Sequence, residues 1–116
     1  MSPVDRLRGF LTLPSNWNGY EGVPPTLRAV EDCIIALRVL EQAVGGFVLQ
    51  PTPTVGGDGE VGLFWEALGI TIELGCRGDG RYGCLVQTAS RGWYEVEGAL
   101  LGDILPAMMP ALDELR

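Results

Sequence analysis

Two residue types are missing from this 116-residue chain. It has no histidine, and all eight of its basic residues are arginine, so it has no lysine. Without histidine there is no Ser-His-Asp triad, no Cys-His pair and no imidazole metal ligand. Without lysine there is no Walker-type phosphate loop and no Schiff base. Cysteine is scarce: Cys33, Cys76 and Cys84 are an odd number with no C-x-x-C spacing, which suits a reducing cytoplasm. Positive charge is short as well. Fifteen acids against eight bases leave a net charge of −7. That balance argues against direct nucleic-acid binding and against an anionic membrane as partner. No apolar run approaches the roughly 18 residues of a membrane-spanning helix. No apolar stretch follows Met1-Ser2-Pro3-Val4-Asp5-Arg6, so no signal peptide is expected.

What is present is enough for a folded core. Hydrophobic residues make up 47% of the chain, too many for a disordered segment, and the length fits a single domain spanning 1–116. Its centre is Val61 to Val86. Val61, Leu63, Trp65 and Ala67 alternate with Gly62, Phe64 and Glu66; after Leu68-Gly69, Ile70, Ile72, Leu74 and Cys76 alternate with Thr71, Glu73 and Gly75. Such alternation marks strands with one buried face. A two-residue turn at 68–69 pairs Ala67 with Ile70, Trp65 with Ile72, Leu63 with Leu74 and Val61 with Cys76. A slip of one residue would destroy the match. Two loops fit the next connection: a two-residue Asp79-Gly80 turn, which would put Cys76 and Cys84 on opposite faces, or a three-residue loop from Gly78 to Gly80, which pairs Cys76 with Tyr82, Leu74 with Cys84 and Ile72 with Val86. With the latter, Cys76 and Cys84 become diagonal neighbours about 7–8 Å apart, too far for an unstrained disulfide. A turn over Ser90-Arg91-Gly92 places Tyr94 opposite Thr88 and Val96 opposite Val86.

The flanks supply the helices. Residues 1–25 read as an N-terminal arm and a loop rich in turn formers, with a short helix or irregular piece over 4–11. Trp17 and Tyr20 are expected to staple that loop onto the core, the alternative being a recognition loop. Residues 26–44 form a helix that starts with Thr26 as N-cap or with Pro25 at its first position, and Leu27, Val30, Cys33, Ile34, Leu37, Leu40 and Val44 point inward. Gly45-Gly46 ends it. Ile35 and Val39 fall on its polar face, either as scattered apolar residues or as a second contact surface. The antiparallel sheet is expected over 47–97, with 47–55 as its first strand, held to an edge by Pro51 and Pro53. A C-terminal helical segment over 99–115 should kink or split at Pro106 and Pro110. The fold class is therefore α+β: an antiparallel meander of four to five strands with two helical segments on one face.

Carboxylates are the only abundant raw material for catalysis. Glu66, Glu73, Glu95 and Glu97 project from the open face of the sheet. A pair of them could run glycoside hydrolysis at the right separation, but a sheet this small offers no deep cleft to raise a pKa. No catalytic, cofactor or metal residue is assigned, and the chain is expected not to be an enzyme. The open face also carries Phe64, Leu85 and Trp93, with Gly62, Gly75 and Gly83 between them. An apolar strip with an acidic rim suits a protein partner, a basic one in particular. The proposed partner-binding set is Phe64, Glu66, Glu73, Leu85, Trp93, Glu95 and Glu97, unless Phe10 and Leu11 of the arm cover it. Ile35 and Val39 form the second surface, which would suit a homodimer.

The run Leu13-Pro14-Ser15-Asn16-Trp17-Asn18-Gly19-Tyr20 with Pro24-Pro25, followed by Pro51-Thr52-Pro53-Thr54-Val55-Gly56-Gly57 and then Leu63 and Trp65, resembles a group of small uncharacterised bacterial proteins. They are associated with genomic islands, plasmids and phages, and typically have aspartate where Asn18 stands. The resemblance spans roughly residues 13–75. It implies a cytoplasmic bacterial protein in a mobile-element setting and transfers no functional residue. The expected function is a non-catalytic protein-binding module, of antitoxin, immunity or chaperone-like type. The alternative is a phage- or plasmid-encoded inhibitor of host defence, similar to an anti-CRISPR protein. A small carboxylate enzyme is third.

Overall fold

The structure is a computed structural model and describes residues 1–115. Among these residues, three helices pack on one face of a five-stranded antiparallel meander in the order β1-β2-β3-β4-β5. The strands are β1 (Thr52–Val55), β2 (Val61–Ala67), β3 (Ile70–Cys76), β4 (Tyr82–Thr88) and β5 (Gly92–Ala99). The helices are α1 (Pro3–Gly9), continued by a 3-10 turn over Phe10–Thr12, α2 (Leu27–Val44) and α3 (Leu101–Glu114).

The central hairpin has the register its alternation requires: Val61↔Cys76, Leu63↔Leu74, Trp65↔Ile72 and Ala67↔Ile70. Leu68 and Gly69 both have positive φ, 56° and 76°. That backbone closes a two-residue hairpin with the twist of its strands. Between β3 and β4 the pairs Cys76↔Tyr82, Leu74↔Cys84 and Ile72↔Val86 hold as well. The last hairpin differs. Tyr94 pairs with Val86 and Val96 with Cys84, two residues from the expected register. The cause is Thr88, whose Oγ1 accepts the Arg91 N–H at 2.8 Å. It closes the loop over 89–91 and leaves Gly92 as the first strand residue. Because the shift is two residues, every side chain keeps its face.

The core lies between the sheet and the helices. Leu63, Trp65, Ile72 and Leu74 meet Val30, Cys33, Leu37 and Leu40 of α2 and Ile104 and Met108 of α3. Trp65 is fully buried, edge-on to Phe47 with ring centroids 5.5 Å apart, and its Nε1 donates to the Leu49 carbonyl at 3.1 Å. Helix α2 begins and ends as its sequence dictates. The Thr26 hydroxyl accepts the Ala29 N–H at 3.1 Å, and Gly45, at φ 77°, lets the Gly45 and Gly46 N–H groups return to Gln42 and Glu41.

Of the two forms expected for the arm the helix is the one found, and Leu7 of α1, with no exposed surface, belongs to the core. Several other expectations need correction. The sheet begins at Thr52 rather than at residue 47, because 47–51 turn to bring Phe47 and the Leu49 carbonyl to Trp65. It also runs on to Ala99. The C-terminal segment does not split: α3 is one helix through Pro106 and Pro110. The carbonyls that lose a donor are those of Gly102 and Pro106, four residues back, and both residues are exposed. Water can satisfy them, which softens the cost of an internal proline. Leu27 is 58% exposed instead of lying in the core stripe.

Candidate functional site

The face of the sheet opposite the helices is ordered by its register into rows. Thr52, Phe64, Glu73, Leu85 and Glu95 lie side by side across all five strands. The next row is Thr54, Gly62, Gly75 and Gly83. On the other side run Glu66, Thr71, Gln87 and Trp93.

The glycine row is a furrow, and close approach explains why. A Cβ on Gly62 would collide with the Leu74 carbonyl oxygen and approach Thr54 Oγ1 to 2.9 Å. A Cβ on Gly75 would strike the Glu60 carboxylate, and one on Gly83 would lie 2.6 Å from Glu97 Oε2. Two glutamate side chains therefore lie over the backbone of the middle strands, where any other residue would lift them off. Glu97 is aimed there by the irregularity opposite Gly83, where the β4–β5 register shifts and Gly98 adopts φ 67°. Glu60 is steadied by Arg77, whose Nε donates to Glu60 Oε2 at 2.8 Å and whose Nη2 lies 3.4 Å from Asp58. The Glu60 carboxylate, then Asp58, holds the Arg77 pKa above its ordinary value.

Over this furrow runs a groove of about 230 Å³, bordered by Glu60, Glu73, Glu95 and Glu97, with half-buried Phe64 and Leu85 in its floor. Five of the seven sequence-predicted contact residues thus converge: Phe64, Glu73, Leu85, Glu95 and Glu97. Glu66 and Trp93 lie outside the groove, in the row beyond. The apolar strip is also not continuous, because Glu73 stands between Phe64 and Leu85. The N-terminal segment does not cover the face. Helix α1 packs against α2 and the edge strand β1, and Phe10 rests on the core. Sequence reasoning missed Glu60, which precedes β2 in a turn. The available signal was the alignment of three glycines in adjacent strands, which leaves space that some neighbouring side chain must fill.

The second surface divides. Ile35 is 53% exposed and, with Leu11 and Leu27, lines a hollow of about 450 Å³ between the N-terminal turn and α2, flanked by Arg8, Glu31 and Arg38. Val39 is half-buried and not part of it. The aromatic loop also differs from expectation. Trp17 Nε1 donates to the Val23 carbonyl at 3.0 Å, while Tyr20 is 88% exposed and staples nothing. The loop is organised instead by asparagines. Asn18 Oδ1 accepts the Tyr20 and Gly22 N–H groups, and Asn16 Oδ1 accepts that of Glu21.

The thiols are on the other side of the sheet. All three are free and buried. Cys33 of α2 and Cys76 of β3 face each other; their hydrogen bond, with burial, pushes the Cys76 pKa up. Burial raises Cys84 to about 12. Protonated buried thiols are poor nucleophiles. Among the described residues, no three His, Cys, Asp or Glu side chains are grouped to hold a metal ion. No helix there is long and apolar enough to cross a membrane. Compared with protein-family models, curated proteins and solved structures, the chain matches none.

Proposed function

We propose that this chain is a small non-catalytic protein-binding module that takes a basic protein partner on the open face of its sheet, as an antitoxin, immunity or chaperone-like protein of the bacterial cytoplasm would. The observation that carries the reading is the acidic groove over the glycine furrow. Four glutamates border it, and the floor is backbone with two half-buried apolar side chains. Arginine and lysine side chains of a partner would find carboxylates at several points along it. Their aliphatic stems would lie on Phe64 and Leu85. A net charge of −7 would speed encounter with a basic partner.

The test is capture from the host followed by mass spectrometry, with wild type and the double variant Glu73→Lys/Glu95→Lys as parallel baits. Wild type is expected to retain a basic protein that the variant loses, and the purified pair should bind more weakly as salt rises. Identical captures by both baits would sink the groove as the binding site.

A further inference from the structure

The two edges of the sheet are not equivalent. Edge strand β1 has four residues, contains Pro53, follows Pro51 and packs against α1. Short length, proline and a covering helix are the usual protections of an edge. Edge strand β5 has eight residues and no proline, and only Val96 and Ala99 in it are even half-buried. In an antiparallel ladder half of its backbone N–H and C=O groups point away from β4. Its irregularity lies at the Glu97–Gly98 end, so the ladder with β4 is regular from Gly92 to Val96 and its outer edge is left open.

Both faces of that run are furnished for an added strand. On the open face stand Trp93, 61% exposed, then Glu95 and Glu97. On the helix face Tyr94 is 38% exposed, because α3 stands off from β5. A hollow of about 180 Å³ remains there among Val86, Tyr94, Pro106, Ala107 and Pro110. We propose that β5 accepts an extended basic segment of a partner as a sixth strand, with alternate residues arginine or lysine over Glu95, Glu97 and Trp93, and the intervening residues apolar in the hollow beside Tyr94. Main-chain hydrogen bonds supply the affinity in such pairing, and pockets for alternate side chains supply the selectivity. The Trp93 ring adds a face for a cation. A second copy of this chain fits less well. Antiparallel self-pairing over the whole run from Trp93 to Glu97 is centred on Glu95 and sets that carboxylate against its twin, like charges directly opposite, and only a shorter overlap about Tyr94 avoids this. The proposal deepens the reading of the open face as a site for a basic protein and rests on it.

The probe is a ten-residue peptide of alternating arginine and valine, followed by amide hydrogen exchange of the whole chain. At saturation, exchange within 93–97 is expected to slow at least about tenfold, as it does when a ligand holds backbone groups closed. Two further peptides carry N-methyl groups on every arginine or on every valine. One of the two should lose binding and the other keep it, because only alternate peptide amides face β5. A glutamate-valine peptide should bind at least about tenfold more weakly. Equal binding by both N-methylated forms, with affinity lost on Glu73→Gln, would overturn strand addition and leave the groove reading intact. No protection anywhere on the sheet at about 1 mM peptide would overturn both.

Discussion

The two faces of one sheet, built from alternate residues of the same strands, have opposite fates. Leu63, Trp65, Ile72 and Leu74 are at most 2% exposed. Their immediate neighbours Phe64, Glu66, Glu73 and Gly75 lie on the face with no helix over it. The apolar residues of the alternation all lie on one face, so burying them places the helices on that side. Charge reinforces the choice: that face of the strands has no carboxylate to desolvate, while the other holds Glu66, Glu73, Glu95 and Glu97. The glycine row adds that a wet face can be shaped as tightly as a core. Its contacts are between carboxylates and backbone rather than between hydrocarbons.

The comparison breaks most visibly at Trp65. Trp65→Ala removes the largest buried side chain, its edge contact with Phe47 and its bond to Leu49. It should cost about 3–5 kcal/mol in denaturant melts. A second break is alkaline. On the core face, burial raises Tyr82 to about 12 and Cys84 to about 12. Both are raised above their unfolded values, so their contribution is complete below the unfolded pKa values of about 9 to 10. It is lost as pH climbs toward 12. Melts should be flat from neutral pH to about 9, then fall by up to about 1.4 kcal/mol per pH unit for each proton released. Constant stability to pH 12 would contradict the burial of both groups.

The wet face yields smaller and graded effects. Gly62→Ala drives a methyl into the Leu74 carbonyl, a backbone atom that cannot swing aside, and should cost about 1–3 kcal/mol. Gly83→Ala meets only the end of the Glu97 side chain and should cost under about 1 kcal/mol, because that carboxylate can move. Equal costs would mean the furrow is not shaped by its neighbours. Smallest of all, Glu73→Ala and Trp93→Ala should each change stability by less than about 0.5 kcal/mol. Trp93→Ala should nonetheless weaken partner binding by about 2 kcal/mol, as exposed aromatic anchors do. Unfolding by Trp93→Ala, with binding preserved in the folded fraction, would place that ring in the core.

The site was legible in part. Phe64, Glu73, Leu85, Glu95 and Glu97 could be assigned to one face because parity along a strand survives even a two-residue error in register, the error made at β5. Glu60 could not, because it lies outside the alternating run and reaches Gly75 only once β2 and β3 are paired. Tyr20 was misplaced for a related reason. Loop aromatics carry no periodicity, and the asparagine acceptors that shape residues 16–22 leave its ring outward.

By itself the sequence determined the α+β class, the central hairpins, the limits of α2 and which residues share a face. All of these follow from local rules of period, cap and turn that act within a few residues. The closing register of β5, the uninterrupted path of α3 through two prolines and the inward docking of α1 were decided only by tertiary structure. So were the pairing of Cys33 with Cys76 and the laying of Glu60 and Glu97 over the glycine row. Each depends on which distant surface is left open or occupied once the core has formed, and no pattern confined to neighbouring residues carries that information.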